Sequence, residues 1–299
     1  MAGPSAHLTF HDNKPMAIDY PALMALEIPD RRCSYGDRET MLYALGTGFG
    51  TDPMDTRELR FVHEDGLQAV PTMATVIGWD RSWIPRTGIH WPLVVHGDQT
   101  LRLHRPLPPA ADVVTSARVA EVLDKGADKG ALLRIETSAR DARTGDPLWT
   151  TSTGFFARGD GGFSAGIDKG PHFHPIPERA PDAVLDAPTQ PNQALLYRLS
   201  GDRNPLHAVP AAADAAGFPR PILHGLCTYG FACRAVLHAF CGLDAARIAA
   251  FDARFSSPLY PGETIRVEMW QDGATVSFRA RCVERDKVVL DNGRALLVR

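Results

Sequence analysis

The residues best suited to chemistry lie in one stretch, Tyr197-Arg-Leu-Ser-Gly-Asp202-Arg-Asn204-Pro-Leu-His207. Asp202, Asn204 and His207 fall within six residues of one another. Gly201 lets the chain leave a helix, and Pro205 keeps it from resuming one. On so tight a turn a carboxylate and an imidazole can converge on one water. An ionised carboxylate accepts a proton and an imidazole can donate one near neutral pH, which is the equipment of general acid–base catalysis. Asn204 would position the turn or the water. The same residues also fit a helix C-cap in which Asp202 and His207 bond only to backbone. A second group, Leu223-His224-Gly225, stands ahead of an apolar run. If that run is a helix, its first N–H groups lack intrahelical partners and can hold a developing negative charge. Gly225 has no side chain to keep a reacting oxygen away. A loop-to-helix joint with no ligand reads as well.

Other polar groups carry weaker signals. Arg198 and Arg203 could meet phosphates or stay solvated, and Ser200, Gly201 and His224 join them as candidate substrate contacts. Gly46-Thr-Gly48-Phe-Gly50 is glycine-rich, but no Lys-Ser/Thr follows, so a phosphate cradle is not expected. His172 and His174 could ligate a metal, yet no third ligand stands nearby, and no metal is expected.

The elements that must hold these groups come twice. Arg105-Pro-Leu-Pro-Pro-Ala-Ala-Asp-Val-Val114 parallels Ser257-Pro-Leu-Tyr-Pro-Gly-Glu-Thr-Ile-Arg266, and Leu42-Tyr-Ala-Leu-Gly46 parallels Leu196-Tyr-Arg-Leu-Ser200. The offsets are 152 and 154 residues, in the same order, so a unit of about 150 residues is duplicated. Each copy opens on a short helix. Ser34, with Asp37 three residues on, is the expected start of the first, and Thr189, with Pro191 in the first turn, that of the second. Each copy closes on strands expected at 112–122, 131–141 and 148–157, then at 265–271, 275–284 and 287–298. Asp272-Gly273 and Arg285-Asp286 supply the later turns. Long strands and short turns imply an antiparallel sheet. Between these parts the second copy has a short helix stopped by Gly217, then a long apolar helix from Leu226 to Cys241, stopped by Gly242. In the first copy the matching stretch, Val70 to Pro92, is broken by Gly78, Pro85 and Gly88. The expected division is a repeat over 1–157, a linker over 158–188 without periodicity, and a repeat over 189–299.

Composition bounds the function. At 299 residues with 44% hydrophobic, the chain can build a sizeable core and is not disordered. Lys+Arg 32 against Asp+Glu 35 leaves a net charge of -3, without the basic excess of a nucleic-acid binder. No run of about 18 apolar residues occurs, so no membrane span is expected. Residues Met1 to His7 lack the basic start and apolar stretch of a secretory signal, and Leu297-Val298-Arg299 is not a Ser-Lys-Leu signal. Five cysteines without a Cys-x-x-Cys pair suggest reduced thiols, so the expected location is cytoplasmic.

The two site motifs together, Tyr-Arg-Leu-Ser-Gly-Asp202-Arg-Asn-Pro-Leu-His207 and Pro-Ile-Leu-His224-Gly-Leu-Cys-Thr-Tyr-Gly, resemble the signature of hydratase 2. These are the (R)-specific 2-enoyl-CoA hydratases of the MaoC-like family. Tyr35-Gly-Asp-Arg-Glu-Thr-Met-Leu-Tyr-Ala-Leu-Gly-Thr-Gly48 and the stretch from Leu93-Val-Val-His-Gly-Asp-Gln to Arg105-Pro-Leu-Pro resemble the first half of its two-repeat, eukaryotic-type members. The likeness spans residues 18–298.

It implies an α+β double hot-dog fold: two antiparallel sheets, each around a helix, the first repeat's helix reduced. Only the second repeat would carry the catalytic motif, since Gly46–Gly50 stands where Asp and His would be. The lost helix would leave room for a bulky acyl chain. The implied reaction is reversible hydration of trans-2-enoyl-CoA to (3R)-hydroxyacyl-CoA. Asp202 would act as base toward water, His207 as acid toward C2, though the turn could exchange these roles, and the Gly225 N–H as oxyanion donor. No cofactor is implied, since CoA belongs to the substrate. A cytoplasmic homodimer is expected, with no nucleic-acid or membrane partner. The family pattern sets no base beside Cys227, which reads as a packing thiol. The alternatives are a dehydratase for acyl-ACP or a specialised acyl-CoA, such as a steroid side chain or a dicarboxylic acyl group, and a silent hot-dog subunit.

Overall fold

The computed structural model describes residues 18–91, 94–163 and 170–298. Ten strands form one antiparallel sheet: β1 (Arg31–Tyr35), β2 (Val94–Leu103), β3 (Ala111–Asp124), β4 (Ala131–Asp141), β5 (Pro147–Ala157), β6 (Ala183–Pro188), β7 (Ile248–Phe255), β8 (Thr264–Asp272), β9 (Thr275–Cys282) and β10 (Lys287–Leu297). Their order is β1-β3-β4-β5-β2-β7-β10-β9-β8-β6. The first five strands thus come from the first half of the chain and the last five from the second. The two meet where β2 pairs with β7, from Asp98 opposite Arg254 to Arg102 opposite Ala250. The helices are α1 (Tyr20–Met24), α2 (Asp37–Gly46), α3 (Leu59–Val62), α4 (Gln193–Tyr197), α5 (Pro210–Ala215) and α6 (Gly225–Phe240).

Side-chain alternation accounts for the sheet. In β8, Ile265, Val267 and Met269 are fully buried while Arg266 and Glu268 pair outward with Asp186 and Arg279. β4 runs over the expected residues, and β3, β5, β8, β9 and β10 lie within two residues of theirs. Gly273 and Asp286 take positive φ in the two expected turns. The central helix α6 is buried from Leu226 to Cys233 without interruption, and again from Ala235 to Leu237. A helix apolar over most of its surface belongs inside, and the second half of the sheet wraps it. Its stop is as expected, with Gly242 at φ 59° just beyond Cys241. In the first half the described residues from Pro71 to Trp91 form no long helix but short 3-10 turns, among them Pro71–Thr75 and Ile84–Arg86. This is the double hot-dog arrangement with one central helix missing.

Three local expectations are corrected. Ser34 lies in β1, and α2 is opened by Gly36, whose N–H donates to Glu39 Oε2 at 2.9 Å. A glycine with no capping oxygen suffices because Glu39 supplies the return bond. Thr189 does not start α4: its hydroxyl donates to Glu263 O at 2.7 Å, and the helix begins four residues later. The stretch read as an unstructured linker contains β6, which covers the edge of β8. Its outward Val184 and Asp186 alternate with Leu185 and Ala187 too briefly to show a period. Residues 1–17 and 164–169, also part of those readings, lie outside the described residues.

The glycine-rich loop after α2 is a packing joint between the halves. Gly46 O accepts from Gln193 Nε2 at 2.8 Å and from the Cys227 thiol at 3.3 Å. All five cysteines are free, and burial raises the Cys227 thiol pKa well above the usual range, as a packing role requires. Gly48 has φ +87°, and a Cβ there would stand 2.4 Å from Phe231 Cε1 of α6. Gly48→Ala combines a strained backbone with a clash in the core, so it should lower stability by about 2 kcal/mol or more. Thermal melting checks this; an unchanged melting temperature contradicts the packing role. Nearby, Glu58 is buried and accepts from Arg234 Nε and His238 Nε2, both at 2.6 Å, and from Gly50 N at 2.7 Å. Burial alone would raise its pKa, but the hydrogen bonds from His238 and Arg234 outweigh it and hold the carboxyl below its ordinary range. This ties the first half to α6.

Candidate active site

Between the vacated part of the first half and the start of α6 lies a cavity of about 520 Å³. Both halves line it. The second half contributes Asp202, Asn204, His207, His224 and Gly225, and the first contributes Trp79, Arg81 and His96. The turn carrying Asp202 is built as its sequence suggests. Tyr197 closes α4, a 3-10 turn follows over Arg198–Ser200, and Gly201 reverses the chain at φ 139°. Asp202 Oδ1 then accepts from Asn204 N at 3.0 Å, and Asn204 Oδ1 accepts from Leu206 N at 3.1 Å. Asn204 thus caps the short turn Pro205–His207 and presents His207 next to Asp202.

His207 is 8% exposed. Its Nδ1 lies 2.9 Å from Ile222 O, and since a carbonyl only accepts, Nδ1 carries the proton. Burial lowers the His207 pKa from 6.5, outweighing the Ile222 hydrogen bond. The neutral imidazole then has a bare Nε2. His224 stacks on it with ring centroids 3.7 Å apart, and its Nε2 donates to Asp202 O at 3.0 Å. Burial, and next the neighbouring His207, lower the His224 pKa and keep that ring neutral too. Its Nδ1 is buried without a partner among the described residues. Asp202 is 24% exposed at its side chain and faces Arg81 Nη1 at 3.6 Å.

Asp202, His207 and His224 each offer a ligand atom, all within 4.8 Å of one another, the only such group of three among the described residues. One carboxylate and two imidazoles are a donor set that a divalent cation accepts. His174, the other metal candidate, has its Nε2 on Ser277 Oγ at 2.7 Å.

Gly225 begins α6, and neither Gly225 N–H nor Leu226 N–H has an acceptor among the described residues, while Cys227 N and Thr228 N both donate to His224 O. Two free donors at a helix start therefore open beside the Asp202–His207 turn. The absent side chain has a different reason from the one expected. A Cβ at Gly225 would lie 2.9 Å from Phe255 Cδ1 and Cε1, so the glycine makes room for that ring rather than for a ligand. Phe255 in turn packs against His96, ring centroids 4.4 Å apart.

The remaining candidates fall outside. Arg198, Ser200, Gly201 and Arg203 do not line the cavity; Arg198 Nη2 bonds to Arg203 O at 3.3 Å. His224 lines it, but its ring nitrogen holds the backbone of Asp202. Arg81, Trp79 and Phe255 were not legible as site residues. They reach the cavity only through the fold, from stretches with no motif of their own.

Two family models divide the chain between them. Residues 33–159 match the MFE-2 hydratase 2 N-terminal domain and residues 172–293 the MaoC like domain. Over 94% of this chain and 99% of its own length, a Mycobacterium tuberculosis protein named enoyl-CoA hydratase ChsH3 is 41% identical. This chain belongs to the MaoC-like hydratase 2 family. Another relative, named enoyl-CoA hydratase 2, peroxisomal, from Arabidopsis thaliana, is 39% identical over 90% of this chain and 92% of its own. Among solved structures, a MaoC-like dehydratase from Phytophthora capsici superposes with a TM-score of 0.83 at 34% identity, covering 94% of this chain and 99% of that one. No described helix is long and apolar enough to cross a membrane.

Proposed function

We propose that this chain is a hydro-lyase that adds water to trans-2-enoyl-CoA to form (3R)-hydroxyacyl-CoA, reversibly. Family membership and relatives named enoyl-CoA hydratase support it. The observation that carries it is the meeting, in one cavity, of Asp202, the bare Nε2 of His207 and the free N–H of Gly225.

In this reading water sits between the Asp202 carboxylate and His207 Nε2. Its oxygen attacks C3, and electrons move through the double bond onto the thioester oxygen. The Gly225 N–H donates to that oxygen as charge develops. His207 starts as an acceptor, not as the ground-state acid first expected, so it takes the water's proton on Nε2 and returns it to C2. Asp202 holds the second hydrogen of the water and balances the transient imidazolium. Asn204 and His224 act through the turn that they fix. No step requires a metal, because the thioester carbonyl receives the electrons. Dehydration of a 3-hydroxyacyl thioester is the same path reversed.

A cavity of about 520 Å³ has room for acyl groups larger than four carbons. Incubation with a series from crotonyl-CoA to long-chain enoyl-CoA, followed by loss of the conjugated absorbance, tests the reading. Turnover should improve with chain length, and a chain inert across the series contradicts the proposal.

The reading also sets a pH dependence. The neutral form of His207 is the active one, and burial holds its pKa below 6.5. The rate should therefore be level through neutrality and reach its half-maximum only below pH 6.5, as Nε2 becomes protonated. A profile of kcat/KM whose acid limb lies above pH 6.5 contradicts this assignment.

A further inference from the structure

The cavity runs from the Asp202–His207 turn across the inner face of the first half of the sheet. Much of its wall is apolar: Trp83, Ile135 and Phe155 belong to one hydrophobic cluster there. The floor is not. One row of paired positions crosses four strands as Ala117, Thr137, Thr151 and Leu101, the first three of which line the cavity. In the neighbouring row, Val119, Ile135, Thr153 and Gln99, only Ile135 and Thr153 reach it.

The threonines of this face differ in one respect. Thr153 Oγ1 donates to Gln99 Oε1 at 3.0 Å, and Thr115 Oγ1 donates to Arg31 O at 3.4 Å. Thr137 and Thr151, directly opposite each other on β4 and β5, have no hydrogen-bond partner for either hydroxyl among the described residues. Thr151 is only 6% exposed, and both line the cavity. Valine has nearly the same shape, suits a strand as well, and would line an alkyl channel without desolvating a hydroxyl. Buried polar groups in proteins are paired, and an unpaired one opposes burial of its surroundings. Both hydroxyls open onto the cavity and neither is a buried unpaired group in the free protein, but an acyl chain that filled the cavity would strip them of water and have to bond with them or leave them unpaired.

We propose, resting on the enoyl-CoA reading, that Thr137 and Thr151 select acyl groups that carry an oxygen beyond the reacting carbons. A hydroxyl both donates and accepts, so an alcohol or a ketone on the acyl group would serve. The small side chain of Ala117 beside them leaves the floor open at that point. The pair acts on specificity and takes no part in the proton transfers.

The test compares a plain trans-2-dodecenoyl-CoA with chains of the same length carrying a hydroxyl or oxo group at successive positions along the outer part. It uses the wild type, Thr137→Val, Thr151→Val and the double variant. Hydration gives kcat/KM, and calorimetry with the saturated analogues gives Kd without turnover. One oxygenated position should be favoured over the plain chain by about 3–10-fold per hydrogen bond. The double variant should lose that preference, and its affinity for the plain chain should rise, since no hydroxyl is then desolvated. The proposal is overturned if the wild type binds the plain chain as well as every oxygenated one. It is also overturned if the valine variants keep the preference, as they would if ordered water satisfied the pair. If the analogues bind but no enoyl thioester is hydrated, the enoyl-CoA reading fails while the binding data still decide on the threonines.

Discussion

Asp202→Asn should lower the hydration of an enoyl-CoA by about 100-fold or more, and His207→Gln should do the same. The asparagine keeps the oxygen that accepts from Asn204 N, so the turn retains its shape. It loses the charge that balances an imidazolium on His207 and the second acceptor for the water. Glutamine at 207 can still donate toward Ile222 O but offers no basic nitrogen. Both variants should melt near the wild type, since each change is close to isosteric. The two residues act on one water, so the double variant should cost little more than either single one. Steady-state rates with a circular dichroism control check this. A single variant with near-normal turnover removes that residue from the mechanism.

Gly225→Pro should cost about 100- to 1000-fold in rate, the usual effect of losing one oxyanion donor. The backbone admits proline there. Position 225 is the first residue of α6, where a missing N–H breaks no helical bond, and His224 already has φ -58° and ψ 134°, as a residue before proline requires. Gly225→Ala is the necessary control. Either replacement places a Cβ 2.9 Å from the Phe255 ring, so both carry that clash, and proline adds its Cγ and Cδ. Only proline removes the N–H. With melting temperatures measured for both, the rate ratio of the two folded variants reports mainly on the donor. Alanine should show its loss mainly in stability and KM, and proline in kcat. Equal rates for the two would place the oxyanion donor elsewhere, with Leu226 N–H the nearest free group.

The duplicated layout and the long strands were legible because they depend on local patterning. β8 alternates over Ile265–Met269, α6 is mostly apolar and ends at Gly242, and the turn at Gly273 needs the positive φ that glycine allows. The turn that presents Asp202 and His207 was legible for the same reason, as Gly201, Asn204 and Pro205 define it within a few residues. What could not be read depends on partners distant in sequence. β6 exists because β8 has an edge to cover. Arg81 meets Asp202 across the two halves. The tautomer of His207 is set by Ile222 O, fifteen residues away, and that bond changes which proton His207 can give. Gly225 looked like open space for a ligand, and only β7 brings the Phe255 ring that occupies it.

The central claim is that the Asp202–His207 turn delivers water to C3 of an enoyl thioester from one face. Chiral analysis of the product formed from trans-2-decenoyl-CoA tests it most directly, run side by side with the Asp202→Asn variant. The wild type should yield (3R)-hydroxydecanoyl-CoA with one water added, and the variant should form it at least about 100-fold more slowly. A (3S) or racemic product, or a variant as fast as the wild type, contradicts the account.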